Sequence, residues 1–95
     1  MEIKVENNKY KIIKNYKEAF KKEEFIEKCT EYFFPYDFIV GDYAYGKLRL
    51  KGFSKKTNKN FNKYNDCTKI NDYIENDCAY GCSYFILEKE NNWLN

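Results

Sequence analysis

The chain has 95 residues and a formal charge of +2, from 17 basic and 15 acidic side chains. One domain is the expected count at this length, and area scaling gives burial of roughly 65% of the unfolded surface, enough for a small core. With 43% hydrophobic and 20% aromatic residues the chain is no disordered tail, and a mean hydropathy of −0.87 with only short apolar runs leaves no room for a membrane-spanning helix of roughly 20 residues.

Ile3 and Val5 alternate with Glu2, Lys4 and Glu6, the period of a strand. Asn7-Asn8 suits a tight turn, and Lys9 to Lys14 reads as the returning strand. A loop carrying Tyr16 and Phe20 leads to a helix expected over 21–33, with Phe25, Ile26, Cys29, Tyr32 and Phe33 at helical spacing. Glu24 and Lys28 are placed for a four-apart ion pair, and Pro35 closes the helix. A third strand is expected from Tyr36 to Asp42, with Phe38, Ile39 and Val40 buried, then a turn from Gly41 to Gly46.

Lys47 to Phe53 is the clearest alternation: Leu48 and Leu50 face one way, Lys47, Arg49 and Lys51 the other. Ser54 to Asn65 is a polar loop of functional or mobile length. A second helix is expected over 67–78, carrying Ile70, Tyr73, Ile74 and Cys78, capped by Asp66 or Thr68 and stopped by Gly81. Cys82 to Lys89 is the last strand, apolar on both faces and therefore central. The order ββαββαβ predicts an α+β domain over residues 1–90, with a mostly antiparallel sheet of about five strands and two helices, followed by a short tail at 91–95.

Lys, Asn, Tyr, Phe and Ile supply 54 of the 95 residues, and all five have AT-rich codons, so the basic and aromatic composition partly reads as nucleotide bias. Lysine outnumbers arginine 16 to 1, which singles out Arg49 and its bidentate fork. The charge is unevenly spread. Between Tyr43 and Asn65 lie seven cations and no acid; the rest carries ten cations and fifteen acids, so +2 is the difference of +7 and −5. Lys47, Arg49 and Lys51 form a ridge spaced about 7 Å apart by the strand rise. Lys55 and Lys56 extend it, and Tyr43 and Tyr45 in the adjoining turn are candidates to stack on bases, as are Phe61 and Tyr64 in the loop. The competing reading is a solvated sheet face beside a lysine-rich loop.

The four cysteines, Cys29, Cys67, Cys78 and Cys82, lack zinc-knuckle spacing, and Cys29 and Cys78 fall on apolar helix faces, so packing explains those two. Cys82 is the thiol candidate for redox or nucleophilic chemistry. No histidine is present, which removes His-based triads and most zinc hydrolase designs. Asp42 with Arg49 remains a catalytic candidate, although an aspartate after Gly41 more commonly caps a turn. No enzyme, cofactor or metal is expected.

The segment Asp37-Phe38-Ile39-Val40-Gly41-Asp42-Tyr43-Ala44-Tyr45-Gly46-Lys47-Leu48-Arg49-Leu50-Lys51-Gly52-Phe53, followed by Asp72-Tyr73-Ile74 and Cys78-Ala79-Tyr80-Gly81-Cys82-Ser83-Tyr84-Phe85, resembles the YutD-like family from about Tyr10 to Glu88. Tyr43 stands where many relatives carry tryptophan. The resemblance implies an α+β domain in a small cytoplasmic protein. It draws attention to Asp42, Tyr43, Tyr45, Gly46, Arg49, Lys51 and Gly52, which match the family pattern. It supplies no function beyond a loose association with regulators, and the same residues also fit a tight aromatic hairpin needing Gly41, Gly46 and Gly52 for backbone geometry. Three functions stay open: a binding module for RNA or a ribonucleoprotein through Asp42, Tyr43, Tyr45, Lys47, Arg49, Lys51, Lys55 and Lys56; a protein-interaction adaptor using the same turn; and an enzyme or thiol-redox protein at Cys82 and Asp42.

Overall fold

The computed structural model describes residues 2–77 and 83–90. Two hairpins and two helices precede a final strand, in the predicted order. β1 (Glu2–Val5) and β2 (Asn8–Tyr16) form the first hairpin, with Val5 opposite Asn8. The two loop residues are therefore Glu6 and Asn7, one position earlier than the expected Asn7-Asn8, and Glu6 takes a left-handed φ of 56°.

α1 (Lys22–Lys28) is far shorter than the expected 21–33. It ends because Cys29 and Thr30 turn extended, well before Pro35. A separate 3₁₀ turn follows at Glu31–Phe33. This break gives Phe33 and Phe34 their own approach to the core that Phe25 and Cys29 enter from the helix. A continuous helix would aim its apolar stripe along one line; here Tyr32 is left outside and Ile26 is also exposed. Glu24, expected to pair with Lys28, instead accepts a hydrogen bond from the Tyr43 hydroxyl at 2.9 Å.

β3 (Phe38–Ala44) and β4 (Lys47–Phe53) make the second hairpin. β3 starts later and runs further than predicted. Gly41, Asp42 and Tyr43 are strand residues, and only Tyr45 and Gly46 turn. Phe38 is half-buried, while Ile39 and Val40 are buried as expected. After the loop, Asp66 caps a 3₁₀ turn at Cys67–Lys69 by accepting from the Thr68 N–H, and α2 (Ile70–Asp77) continues from it. β5 (Tyr84–Lys89) closes the fold. The proposed stop at Gly81 and the residues Cys78 and Cys82 lie outside the described residues, as does the tail 91–95.

The sheet order is β1-β2-β5-β3-β4, all neighbours antiparallel. The last strand slots between the two hairpins, which is why it is apolar on both faces. One face packs Ile3, Tyr10, Ile39, Leu48, Phe85 and Leu87 beneath α1. The other packs Val40, Phe53 and Ile86 beneath Ile70, with Tyr73 and Ile74 of α2 alongside. The interior of the larger cluster is aromatic: Phe85 meets Phe20 and Phe25 edge-on at 5.1 and 6.1 Å between ring centres. No helix among the described residues is long and apolar enough to cross a membrane.

Candidate partner-binding surface

The β3–β4 hairpin closes on a two-residue loop, with Ala44 opposite Lys47. Both loop residues have left-handed φ, 54° at Tyr45 and 75° at Gly46. A tight hairpin of this kind matches the strand twist and prefers Asn-Gly. Gly46 obeys that preference; Tyr45 does not, and its side chain is completely exposed.

The register then places each candidate. Asp42 faces Arg49 across the ladder. Arg49 donates from Nε to Asp42 Oδ1 at 3.0 Å and from Nη2 to Oδ2 at 2.7 Å, a bidentate pair in which the carboxylate side chain is 2% exposed and the guanidinium 45%. Asp42 is thus a buried cross-strand partner, correcting its reading as a turn cap, and Arg49 is engaged within the fold. Tyr43, one residue on, falls on the opposite face under α1. Its hydroxyl donates to Glu24 and its ring lies 5.7 Å below Lys21 Nζ, so it is not beside Tyr45 on one stacking surface, as a turn over Gly41–Gly46 had implied. Burial first, and the bond to Glu24 second, push its phenol up to about 12.

The ridge of cations is largely folded back. Lys51 Nζ lies 5.3 Å from the Phe53 ring centre and 5.9 Å from that of Tyr73. Lys55 Nζ reaches Glu88 at 3.5 Å and sits 5.8 Å from the Phe38 ring. Lys47 and Lys56 remain exposed. Lys56 adds a minor pull on the Asp66 carboxyl, whose pKa is lowered chiefly by the hydrogen bonds from Thr68. Of the cysteines, Cys29 is buried beside Tyr10, and burial pushes its thiol up to about 11, the environment of an inert packing residue. Cys82 lies outside the described residues.

The basic loop is ordered, not slack. Ser54 donates its N–H to the Asn65 carbonyl and accepts from the Cys67 N–H, joining the loop's ends. Asn58 Nδ2 donates to the Pro35 carbonyl at 2.8 Å and Asp37 Oδ2 at 3.1 Å, while Asn62 and Asn65 bond each other's backbone. Asparagines that looked like codon bias are therefore side-chain struts. The closed loop carries Tyr64 to one side of β4, and the turn after α1 carries Tyr32 and Tyr36 to the other. Between them runs an open groove of about 410 Å³ along β4, floored by Leu50, Lys51 and Gly52. Tyr36 and the groove escaped the sequence reading; the signal was Gly52, which is bare because the Tyr36 ring occupies the space of its Cβ.

Comparison with known proteins now adds a lineage. A sequence model of the family described as "Putative antitoxin YutD-like" matches residues 4–88. The chain belongs to the YutD-like family. A curated relative from Bacillus subtilis (strain 168), named "Putative antitoxin YutD", is 34% identical over 87 residues, covering 92% of this chain and 96% of that protein. The solution NMR structure of yutD from B. subtilis superposes with a TM-score of 0.80 at 33% identity, covering 97% of this chain and 84% of that one. The YutD-like α+β fold and its ββαββαβ order are thereby shared with a solved relative, and the Asp37–Phe53 block that carried the resemblance is the hairpin just described.

Proposed function

We propose that the protein is a non-enzymatic binding module that captures a protein partner through the tip of the β3–β4 hairpin and the flank of β4. One observation carries the reading: a fully exposed tyrosine occupies a left-handed turn position where asparagine is the better residue. Turn chemistry does not account for Tyr45. Glu6, Lys17 and Glu18 also take left-handed φ at exposed positions, but only Tyr45 of the four offers an aromatic ring, and tyrosine is a favoured interface anchor. Tyr32 and Tyr64, 66% and 75% exposed, add apolar surface on either side. The relative's antitoxin name fits a protein that acts by holding another protein.

RNA or a ribonucleoprotein is the second reading. Lys56, Lys59 and Lys63 stand exposed on the loop beside Tyr64, a basic and aromatic combination suited to single strands. It ranks below the first because Arg49 and Lys55 are already paired with Asp42 and Glu88. A pull-down of the full chain from native lysate, with and without nuclease, separates the two. A protein retained after nuclease supports the first; binding that vanishes with nuclease and weakens steeply from about 50 to 200 mM salt supports the second.

A further inference from the structure

β4 is an edge strand. Backbone groups of an edge strand alternate between bonding inward and pointing outward. At Ser54, just beyond β4, both backbone groups point outward, since they bond Asn65 and Cys67 in a single parallel bridge. The two-residue hairpin gives the same parity from the other end, because Lys47 closes the ladder inward opposite Ala44. Gly52 and Leu50 therefore present N–H and C=O to the outside, as does Leu48. Among the described residues nothing bonds to them there. The chain's own segment Asn65–Cys67 pairs only at Ser54 and then leaves, so the edge it begins to cover stays open along the groove.

We propose that the groove receives an extended, acidic segment of a partner protein, which adds as a sixth strand by pairing with Leu50 and Gly52. Unprotected edges of this kind are templates for strand addition. Four extended residues rise about 13 Å, and the groove of about 410 Å³ suits such a short segment. Gly52 offers no side chain, so the incoming backbone can lie close beside the Tyr36 ring, with Tyr64 and Tyr73 walling the other side. Charge selects the occupant: the groove lining holds no carboxylate, Lys51 meets only the Phe53 and Tyr73 rings, and the exposed Lys63 stands 5.2 Å from the centre of the Tyr64 ring at the groove wall, within the stretch from Tyr43 to Asn65 that carries seven cations and no acid.

This inference rests on the partner-binding reading and names the chemistry of the partner. The test uses the isotope-labelled full chain and two synthetic heptapeptides, one alternating valine with glutamate, the other valine with lysine. The glutamate peptide is expected to shift the amide protons of Leu50 and Gly52, slow their exchange at least tenfold, and bind at least tenfold more tightly than the lysine peptide. Lys51→Glu is expected to narrow that preference at least fivefold. Unchanged Leu50 and Gly52 amides at millimolar peptide, or equal binding of both peptides, overturn the proposal. So do shifts at these amides that grow with protein concentration alone, which would make the occupant a second copy. If a partner is retained from nuclease-treated lysate while these amides stay silent, only the strand addition falls; if no protein is retained, the parent reading falls with it.

Discussion

Gly41 and Gly52 lie on the same sheet face, and each is bare because an aromatic ring fills the place of a Cβ. At Gly41 an added methyl would meet Phe85 Cζ at 2.1 Å; at Gly52 it would meet Tyr36 Cγ at 2.3 Å. The distances match, but the rings differ. Phe85 is fully buried between Phe20 and Phe25 and meets Gly41 with the far end of its ring, whereas Tyr36 is half-buried at the groove and meets Gly52 with the root of its ring, its hydroxyl bonded to Tyr32. Gly41→Ala and Gly52→Ala are therefore each expected to cost about 2–3 kcal/mol, measured by urea unfolding. One reading of the sequence pattern gives all three hairpin glycines to backbone geometry; of the three only Gly46 has the positive φ that it requires. A strand glycine signals that something lies against it but not which ring, since Phe85 and Tyr36 arrive from elsewhere in the chain. A second residue-scale expectation concerns alkali. Cys29 ordinarily loses its proton near 9.0 and in the fold near 11, because burial disfavours the thiolate. Above pH 9 the unfolded chain binds fewer protons than the folded one, so stability is full below pH 9 and falls as pH rises toward 11. Tyr10 and Tyr43, both raised from 10.0 by burial, steepen the loss above pH 10. The urea midpoint should drop across pH 9–11, and Cys29→Ala should flatten the lower part of that drop.

Among the elements, strands were legible and helix ends were not. Lys47–Phe53 was read correctly to the residue because alternation has period two and a slip of one exposes Leu48 and Leu50. The first helix was over-read because Phe25, Cys29, Tyr32 and Phe33 keep helical spacing whether or not the backbone does. Its stop depends on packing Phe33 and Phe34 into the core, which spacing alone does not reveal. The loop from Ser54 to Asn65 reads from its length as functional or mobile; the bonds that tie it down are long-range and leave no local pattern, such as Asn58 to Pro35 and Asp37. Asn58→Ala removes both of these and the acceptor for the Asn60 N–H. It is expected to cost about 1–2 kcal/mol and to accelerate amide exchange at Asn60 and Lys55 well before β4 responds.

At the scale of the molecule, the sheet is completed by its last strand. β5 bonds both β2 and β3, so neither hairpin is joined to the other until the C-terminal segment arrives. Amides of β5 are expected to be the slowest to exchange, at the rate of global unfolding, while β1 and the outer edge of β4 exchange through local opening. The near-neutral charge conceals a basic block from Tyr43 to Asn65 whose strand cations are mostly turned to internal partners, leaving an aromatic hairpin tip and an open strand edge as the surface without an internal purpose. The most direct test of that account is Tyr45→Asn, which installs the residue the turn prefers. The account predicts that its melting temperature rises by a few degrees, for a gain of about 1 kcal/mol, while capture of the protein partner from nuclease-treated lysate falls at least tenfold. A variant that captures the partner as well as the parent, or that is destabilised, would contradict it.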